Sequence, residues 1–320
     1  MFPRGPAQVL FIGTAVIDRM MEADWLPGTN GTTVVRTEQT TFGGRGAGPA
    51  ATYGLLGGQA GLLAAVGSDF TSSGFEQFLK DSSVEVSLLS RSTSDRCCST
   101  NTYIDAGTRA TMCFFEPRQL DDGLSPAALS ALATADALYV AGYYSHDGLA
   151  LAADAARSGV PMALSLCNGI IPYVSDKLLR SLIASATLLA FNDEEWEIIK
   201  KRLGITQEEA LFGMTETLEC VYHTRGSQTG IGRLRGGRHF DIPVRMVSRC
   251  QSALGAGDTF MAGVLYGRLL QLNYVDCAIV GSLLASLKVE ASPGATFPVS
   301  EDARVKDRLL GLIRESGLPA

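Results

Sequence analysis

The sequence predicts an α/β protein: a mostly parallel sheet with helices on both faces, plus a small β-sheet lid. Three observations carry that prediction. Short apolar runs at 137–141, 162–166 and 188–191 each give way to a helical pattern, the alternation that a parallel sheet requires. A β-branched, polar stretch at 32–41 reads as an exposed strand, and together with a hairpin of the runs at 99–104 and 111–115 it suggests a small sheet projecting from that body. Finally, the glycine turn Gly255-Ala256-Gly257-Asp258-Thr259-Phe260 opens a helix on which Met261, Val264, Leu265 and Leu269 share one apolar face.

Taken in order, residues 8–12 (QVLFI), ended by Gly13, read as a buried strand. Asp18 follows just past its end, where open α/β sheets bind ligands, although by position alone a solvated turn aspartate is the plainer reading. The glycine-rich stretch 43–48 leads into a small-residue helix that ends near Gly57-Gly58, and it reads as a floor where amides and Arg45 meet a polar molecule. Gly46-x-Gly48-x-x-Ala51, with Asp69 further on, also fits a dinucleotide fingerprint. That fingerprint must follow a buried strand, however, and the preceding segment is polar. Residues 61–67 read as a second buried strand and 73–80 as a short amphipathic helix. Strands 99–104 and 111–115 pair across Asp105-Ala106-Gly107-Thr108-Arg109, and such a flap can exclude water from a site. Asn192-Asp193-Glu194-Glu195 ends the 188–191 run and starts an acidic helix. Capping and the helix dipole explain acids there, and Asn192 and Glu195, one turn apart, could also hold a hydrated Mg²⁺. Residues 218–224 form another strand, with a polar turn at Thr224-Arg225-Gly226-Ser227. Residues 230–247 read as a hairpin about Gly236-Gly237, and the last third is helical, broken at 292–294.

Composition narrows the class further. With 320 residues, 46% hydrophobic and 19% charged, the chain can bury a substantial core. A net charge of -6 without a lysine and arginine block gives no footprint for nucleic acid. Seven cysteines without a Cys-x-x-Cys pair suggest reduced thiols, and no apolar stretch approaches the ~20 residues that span a bilayer. A short polar N-terminus with no signal-peptide pattern completes the expectation of a cytoplasmic protein with no membrane partner.

The Gly255 turn carries the chemistry. Free amides of a helix's first turn welcome an anion such as phosphate. A carboxylate there, Asp258, is poorly placed to bind phosphate and well placed to take a proton from a hydroxyl attacking it. A tight loop with a capping aspartate is the alternative for this stretch taken alone. No Walker A sequence occurs, and neither does the His-Arg-Asp and Asp-Phe-Gly pair of protein kinases.

Four stretches, in order, resemble the PfkB (ribokinase-like) sugar and nucleoside kinases over nearly the whole chain. These are Phe42-Gly43-Gly44-Arg45-Gly46-Ala47, Asn192-Asp193-Glu194-Glu195, Thr224-Arg225-Gly226 and Gly255-Ala256-Gly257-Asp258-Thr259-Phe260. The resemblance implies one ribokinase-like unit over 1–320, a three-layer α/β/α body with a lid built from about 14–45 and 97–117. It implies an ATP- and Mg²⁺-dependent kinase acting on a hydroxymethyl group of a sugar-like molecule. Asp258 would be the base, and Gly255, Ala256 and Gly257 the anion hole. Asn192, Thr224 and Gly226 would serve the nucleotide, and Glu195 the metal. Asp18, Gly44, Arg45 and Gly48 would face the acceptor.

The sequence also departs from the family pattern. Val16, Gly48 and Gly142 replace ribose-reading side chains, so ribose itself is not the expected acceptor. Ser252-Ala253-Leu254 replaces the family's Asp-Thr-Thr, which leaves the monovalent cation open. Thr229 stands where a glycine is usual, with Gly230 one place later. Within the family, Val16-Ile17-Asp18-Arg19, Gly48-Pro49-Ala50-Ala51-Thr52 and His146-Asp147-Gly148 are most similar to sulfofructose kinases. A nucleoside kinase, an NAD-dependent oxidoreductase and a non-catalytic sugar-binding regulator stay open as alternatives, and a homodimer through the lid edges is an expected partner.

Overall fold

The computed structural model describes residues 2, 3, 5, 7–117, 124–142, 146–166, 171, 174–292, 294–297 and 302–319. β1 (Gln8–Gly13) leads almost directly into β2 (Val16–Ala23), and β3 (Val35–Gly43) returns antiparallel to β2. Next come α1 (Ala47–Leu55), β4 (Gln59–Leu63), β5 (Ala65–Val66), α2 (Phe75–Asp81), β6 (Val84–Glu85) and β7 (Ser90–Arg91). The hairpin of β8 (Cys98–Asp105) and β9 (Thr111–Glu116) follows. The alternating part holds α3 (Pro126–Thr134), β10 (Ala137–Ala141), α4 (His146–Arg157), β11 (Met162–Ser165), α5 (Asp176–Ser185) and β12 (Leu188–Asn192). It continues through α6 (Asp193–Leu203), α7 (Glu209–Gly213) and β13 (Cys220–Arg225) to the strands β14 (Gln228–Leu234) and β15 (His239–Ile242). Three helices close the chain: α8 (Ala256–Leu269), α9 (Tyr274–Ala291) and α10 (Asp302–Glu315).

Nine strands make the central sheet, in the order β15-β14-β13-β12-β11-β10-β1-β4-β6. Strands β13 to β6 along that order pair in parallel, and β14 and β15 add an antiparallel edge. Alternation within single strands explains why both faces are covered. On β1, Val9 and Phe11 point into one core while Leu10 and Ile12 point into the other. On β10, Ala137, Tyr139 and Ala141 join the first core, and Leu138 and Val140 the second. The first core takes in α1, α8, α9 and α10, and the second α3, α4, α5 and α6. Each wholly buried Leu, Ile or Phe removed from water contributes about 1.5–3 kcal/mol, so such two-sided strands fix their register firmly.

The lid is a separate four-stranded sheet, β3-β2-β8-β9, in which β2 and β8 are parallel and the outer pairs antiparallel. Three sequence expectations need correction. Asp18, whose position alone favours a solvated turn, lies instead on β2, an inner lid strand at 16–23 where Ile17, Met20 and Met21 are buried, within the span expected for the lid. The strand expected at 61–67 divides at Ala64. Its first part is central-sheet β4, while β5 pairs with β7 in a two-stranded sheet of its own. The hairpin expected at 230–247 ends at Ile242, and no strand follows before α8. Helix α9 ends at Ala291, next to the expected break, although Pro293 lies outside the described residues. The six described cysteines are free thiols, and no helix among the described residues is long and apolar enough to cross a membrane.

Candidate active site

The site lies over the carboxyl ends of the parallel strands, at the point where the chain's connections reverse direction. From β1 the chain goes first to β4 on one side and only later to β10 on the other, and such a switch point leaves a crevice. Gly13 and Ala141 abut there: a Cβ on Gly13 would stand 2.1 Å from the Ala141 carbonyl oxygen.

The start of α8 forms one wall. Its N-cap Gly255 has φ 74°, and a Cβ there would stand 2.4 Å from the Ala295 carbonyl oxygen, so only glycine fits. Gly257 is exposed, with nothing within 4 Å of the place a Cβ would take, so this helix end opens onto space. Of the three amides expected to form an anion hole, that of Ala256 is committed to the Ala253 carbonyl, 3.1 Å away. The first-turn amides at Gly257 and Asp258 have no intrahelical acceptor.

Asp258 sits in that first turn with its Oδ1 shielded from water and without a hydrogen-bond partner among the described residues. The Arg45 Nη1 stands 3.7 Å from this oxygen. Burial raises the Asp258 pKa, while Arg45, the Tyr139 hydroxyl and Lys288 pull the other way. A carboxyl so placed is well suited to hold a proton during a reaction.

The lid supplies a second carboxyl. Asp18, expected by resemblance to face the acceptor and by position alone to be a turn residue, is buried on β2 at 4% exposure. Thr100 on the neighbouring β8 donates to its Oδ1 at 2.5 Å, and its Oδ2 has no hydrogen-bond partner among the described residues. Gly43 leaves room for it: a Cβ there would come within 2.6 Å of Oδ2. Burial pushes the Asp18 pKa up to about 6, against the Thr100 bond and the charge of Lys288.

Between the two carboxyls runs the glycine-rich segment. Gly44 takes φ 100°, and its missing Cβ lets the chain lie against the Thr14 carbonyl. The Arg45 amide donates to Thr14 Oγ1 at 3.1 Å. Gly48 is already inside α1, buried beneath Thr296, and its amide bonds the Gly44 carbonyl at 2.8 Å, so it shapes the floor instead of presenting a donor. Gly46 begins α1 directly after a lid strand, not after a buried parallel strand, which removes the context a dinucleotide fingerprint requires.

Asn192, Thr224 and Gly226 gather at the ends of β12 and β13, where Asn192 and Thr224 are register partners. Gly226 turns the chain with φ 60° and open space around it. Tyr222 lies two residues before Thr224 and so on the same strand face. Its ring packs edge-on against Phe260 of α8 at 5.7 Å, which fixes this corner to the helix that carries Asp258. Asn192 and Glu195 bond each other reciprocally as a capping box, Asn192 Oδ1 accepting from the Glu195 amide at 2.9 Å and Glu195 Oε2 from the Asn192 amide at 2.8 Å. No group of three His, Cys, Asp or Glu side chains converges to hold a metal among the described residues.

Sequence reading missed Tyr139, Thr100 and Lys288. Tyr139 reads as one more apolar residue of β10, and Thr100 meets Asp18 only across strands 82 positions apart. Lys288 lies on α9, wholly buried, and its Nζ donates to the carbonyls of Ser252, at 3.2 Å, and Leu254. The one signal for it was a lysine in a helix apolar on nearly every side, where a solvated face has little room.

A switch-point crevice with an open helix end, a buried carboxyl and a β roof is the arrangement that a small-molecule phosphotransferase of the α/β class requires. The profile of the pfkB family carbohydrate kinases matches residues 6–302, and the chain belongs to that family. It is similar to a nucleoside kinase of Methanocaldococcus jannaschii, 22% identical over 290 residues, 89% of this chain and 91% of that one. In structure it is similar to the Burkholderia thailandensis nucleoside kinase in complex with inosine (TM-score 0.80, 20% identity, 98% of each chain). The Arabidopsis thaliana ribokinase complexed with ribose and ATP also superposes (TM-score 0.76, 18% identity, 97% of this chain and 99% of that one). Members of the family transfer phosphoryl groups to hydroxyls, and this chain is such an enzyme.

Proposed function

We propose that the protein transfers the γ-phosphoryl group of ATP to a hydroxymethyl group of a small sugar or sugar derivative. The observation that supports this reading most directly is Asp258 at an open helix end, its Oδ1 3.7 Å from the Arg45 guanidinium and without a hydrogen-bond partner among the described residues. Its carboxylate takes the proton of the attacking hydroxyl late in the transfer, while first-turn amides of α8 stabilise the charge on the moving phosphoryl. Asp18 orients the acceptor through its Oδ2, and Arg45 draws Asp258 and an anionic group of the acceptor or phosphate together. Asn192, Thr224 and Gly226 line the nucleotide. A divalent ion of the Mg²⁺ type would neutralise the phosphates, held mainly by phosphate and water with Glu195 behind them, since one carboxylate suffices for such a site. A nucleoside acceptor is the second reading, favoured by the likeness to two nucleoside kinases.

ADP release measured across sugars, sugar phosphates and nucleosides separates the two. A purine nucleoside outcompeting every sugar would overturn the first reading. Asp258→Asn should leave ATP binding nearly unchanged, because the amide is isosteric, and lower kcat by roughly 10²–10⁴-fold, the usual worth of a positioned acid or base. Near-normal turnover in that variant, measured by single-turnover quench, would refute the assignment.

A further inference from the structure

Lys288 is a buried cation that the phosphoryl-transfer reading leaves unused. It projects from the last turn of α9, is 0% exposed, and reaches the segment that leads into Gly255. Its ammonium bonds two main-chain carbonyls of that segment, Ser252 and Leu254, which no helix or strand partner satisfies. The rest of the segment is tied down as well. The Gln251 amide bonds the Val289 carbonyl at 2.8 Å, the Leu254 amide bonds Ser252 Oγ at 3.1 Å, and the Ala256 amide bonds the Ala253 carbonyl. A buried ammonium costs much free energy unless carbonyl oxygens and negative charge surround it. Carbonyls 252 and 254 supply the oxygens and the site carboxyls the charge; burial is still the larger effect and lowers the Lys288 pKa to about 7, against Cys250, Asp18 and Asp258, so the cation is present below that pH. The same ammonium lies in the fields of both site carboxyls, since it lowers the pKa of each.

We propose that Lys288 is a positioning residue for phosphoryl transfer, a tethered cation that holds carbonyls 252 and 254 inward so that the first-turn amides of α8 face the transferred group. The proposal rests on the phosphotransferase reading of the site. An ammonium and a monovalent metal ion are both held by main-chain carbonyls, so a resident lysine leaves no work for a dissolved ion. Turnover of the intact enzyme should therefore be equal in sodium, potassium and tetramethylammonium salts at one ionic strength.

The test uses Lys288→Met, which keeps most of the buried volume, and Lys288→Ala, which leaves a space for a small amine. Both should lower kcat by roughly 10²-fold with KM for ATP changed by less than about threefold, the pattern of an interaction felt mainly in the transition state. Methylammonium or ammonium should restore Lys288→Ala at least tenfold and leave Lys288→Met unmoved. Amide hydrogen exchange gives a readout independent of turnover: residues 252–258 should exchange at least tenfold faster in Lys288→Met, with α9 itself unchanged. If the wild type proves inactive on every acceptor, the phosphotransferase reading fails while the exchange result still judges the tether. Unchanged exchange at 252–258, kcat within threefold of wild type, or potassium activation of the wild type would each overturn the proposal. Should Lys288→Ala fail to fold, Lys288→Met carries both measurements.

Discussion

Asp18 and Asp258 are both carboxyls turned away from water, and their neighbours give them different tasks. Thr100 occupies one oxygen of Asp18 and leaves the other without a hydrogen-bond partner among the described residues, whereas Asp258 meets the Arg45 guanidinium at a helix end that favours negative charge. Because burial lifts the Asp18 pKa to about 6, the free enzyme carries it ionised above that pH and protonated below it. When ionised, Asp18 can accept a hydrogen bond from an acceptor hydroxyl at its remaining Oδ2, and protonation there removes that acceptor, so kcat/KM for the acceptor should fall as pH drops through about 6. Asp18→Asn should remove that limb and raise KM, which a pH series of initial rates will check; a limb that stays at about 6 in the variant would exclude Asp18 as its origin. Residues of this kind differ in how well a sequence displays them. Asp258 was legible because Gly255 and Gly257, just before it, mark a special helix start. Lys288 and Thr100 were not, since a buried salt-free lysine and a cross-strand hydroxyl have partners only in three dimensions.

At the scale of elements, α6 shows one motif serving two ends. Asn192 and Glu195 cap the helix on which Trp196 stacks against Phe191 at 5.3 Å, and that packing holds the end of β12 in place. Removing the cap would cost about 0.5–2 kcal/mol and blur any effect on chemistry. Glu195→Gln separates the roles, because glutamine keeps the capping box and loses the charge. We expect its melting temperature to stay within about 2 °C of wild type while the Mg²⁺ concentration for half-maximal rate rises at least roughly fivefold. An unchanged Mg²⁺ curve would assign Glu195 to the cap alone. The lid strands teach a related lesson. Strands β8 and β9 announced themselves by alternation and a turn, whereas β2 did not, because it begins only two residues after β1 ends and buries residues of both its faces. Two strands of different sheets joined by only Thr14-Ala15 leave little punctuation for a sequence to show.

Across the whole molecule, lid and body meet through a few named contacts. Arg109, in the β8–β9 turn, donates to Glu22 of the lid at 2.6 Å and to the Gln251 carbonyl of the body at 3.0 Å. Thr296 donates to the Phe42 carbonyl at 2.8 Å, a second tie. The first tie ends one residue before the segment that Lys288 holds. Arg109→Ala should therefore loosen closure without touching the chemistry: acceptor KM up roughly three- to tenfold, kcat within about threefold, and ATP hydrolysis without acceptor increased, as expected when a cover excludes water less well. A coupled assay run with and without acceptor will check it, and unchanged KM together with unchanged hydrolysis would show the latch to be structural only. Helix α8 adds a last consequence. From Thr259 to Arg268 it is sheathed by protein on every side, so only its first turn ever meets a ligand. On the proposed reading, the first turn of α8 is thus an anvil bolted into the frame, and the recognition surface is a jaw built from the lid strands. A protein engineer seeking a new acceptor should recut the jaw at positions around Asp18 and Thr100 and leave the anvil alone.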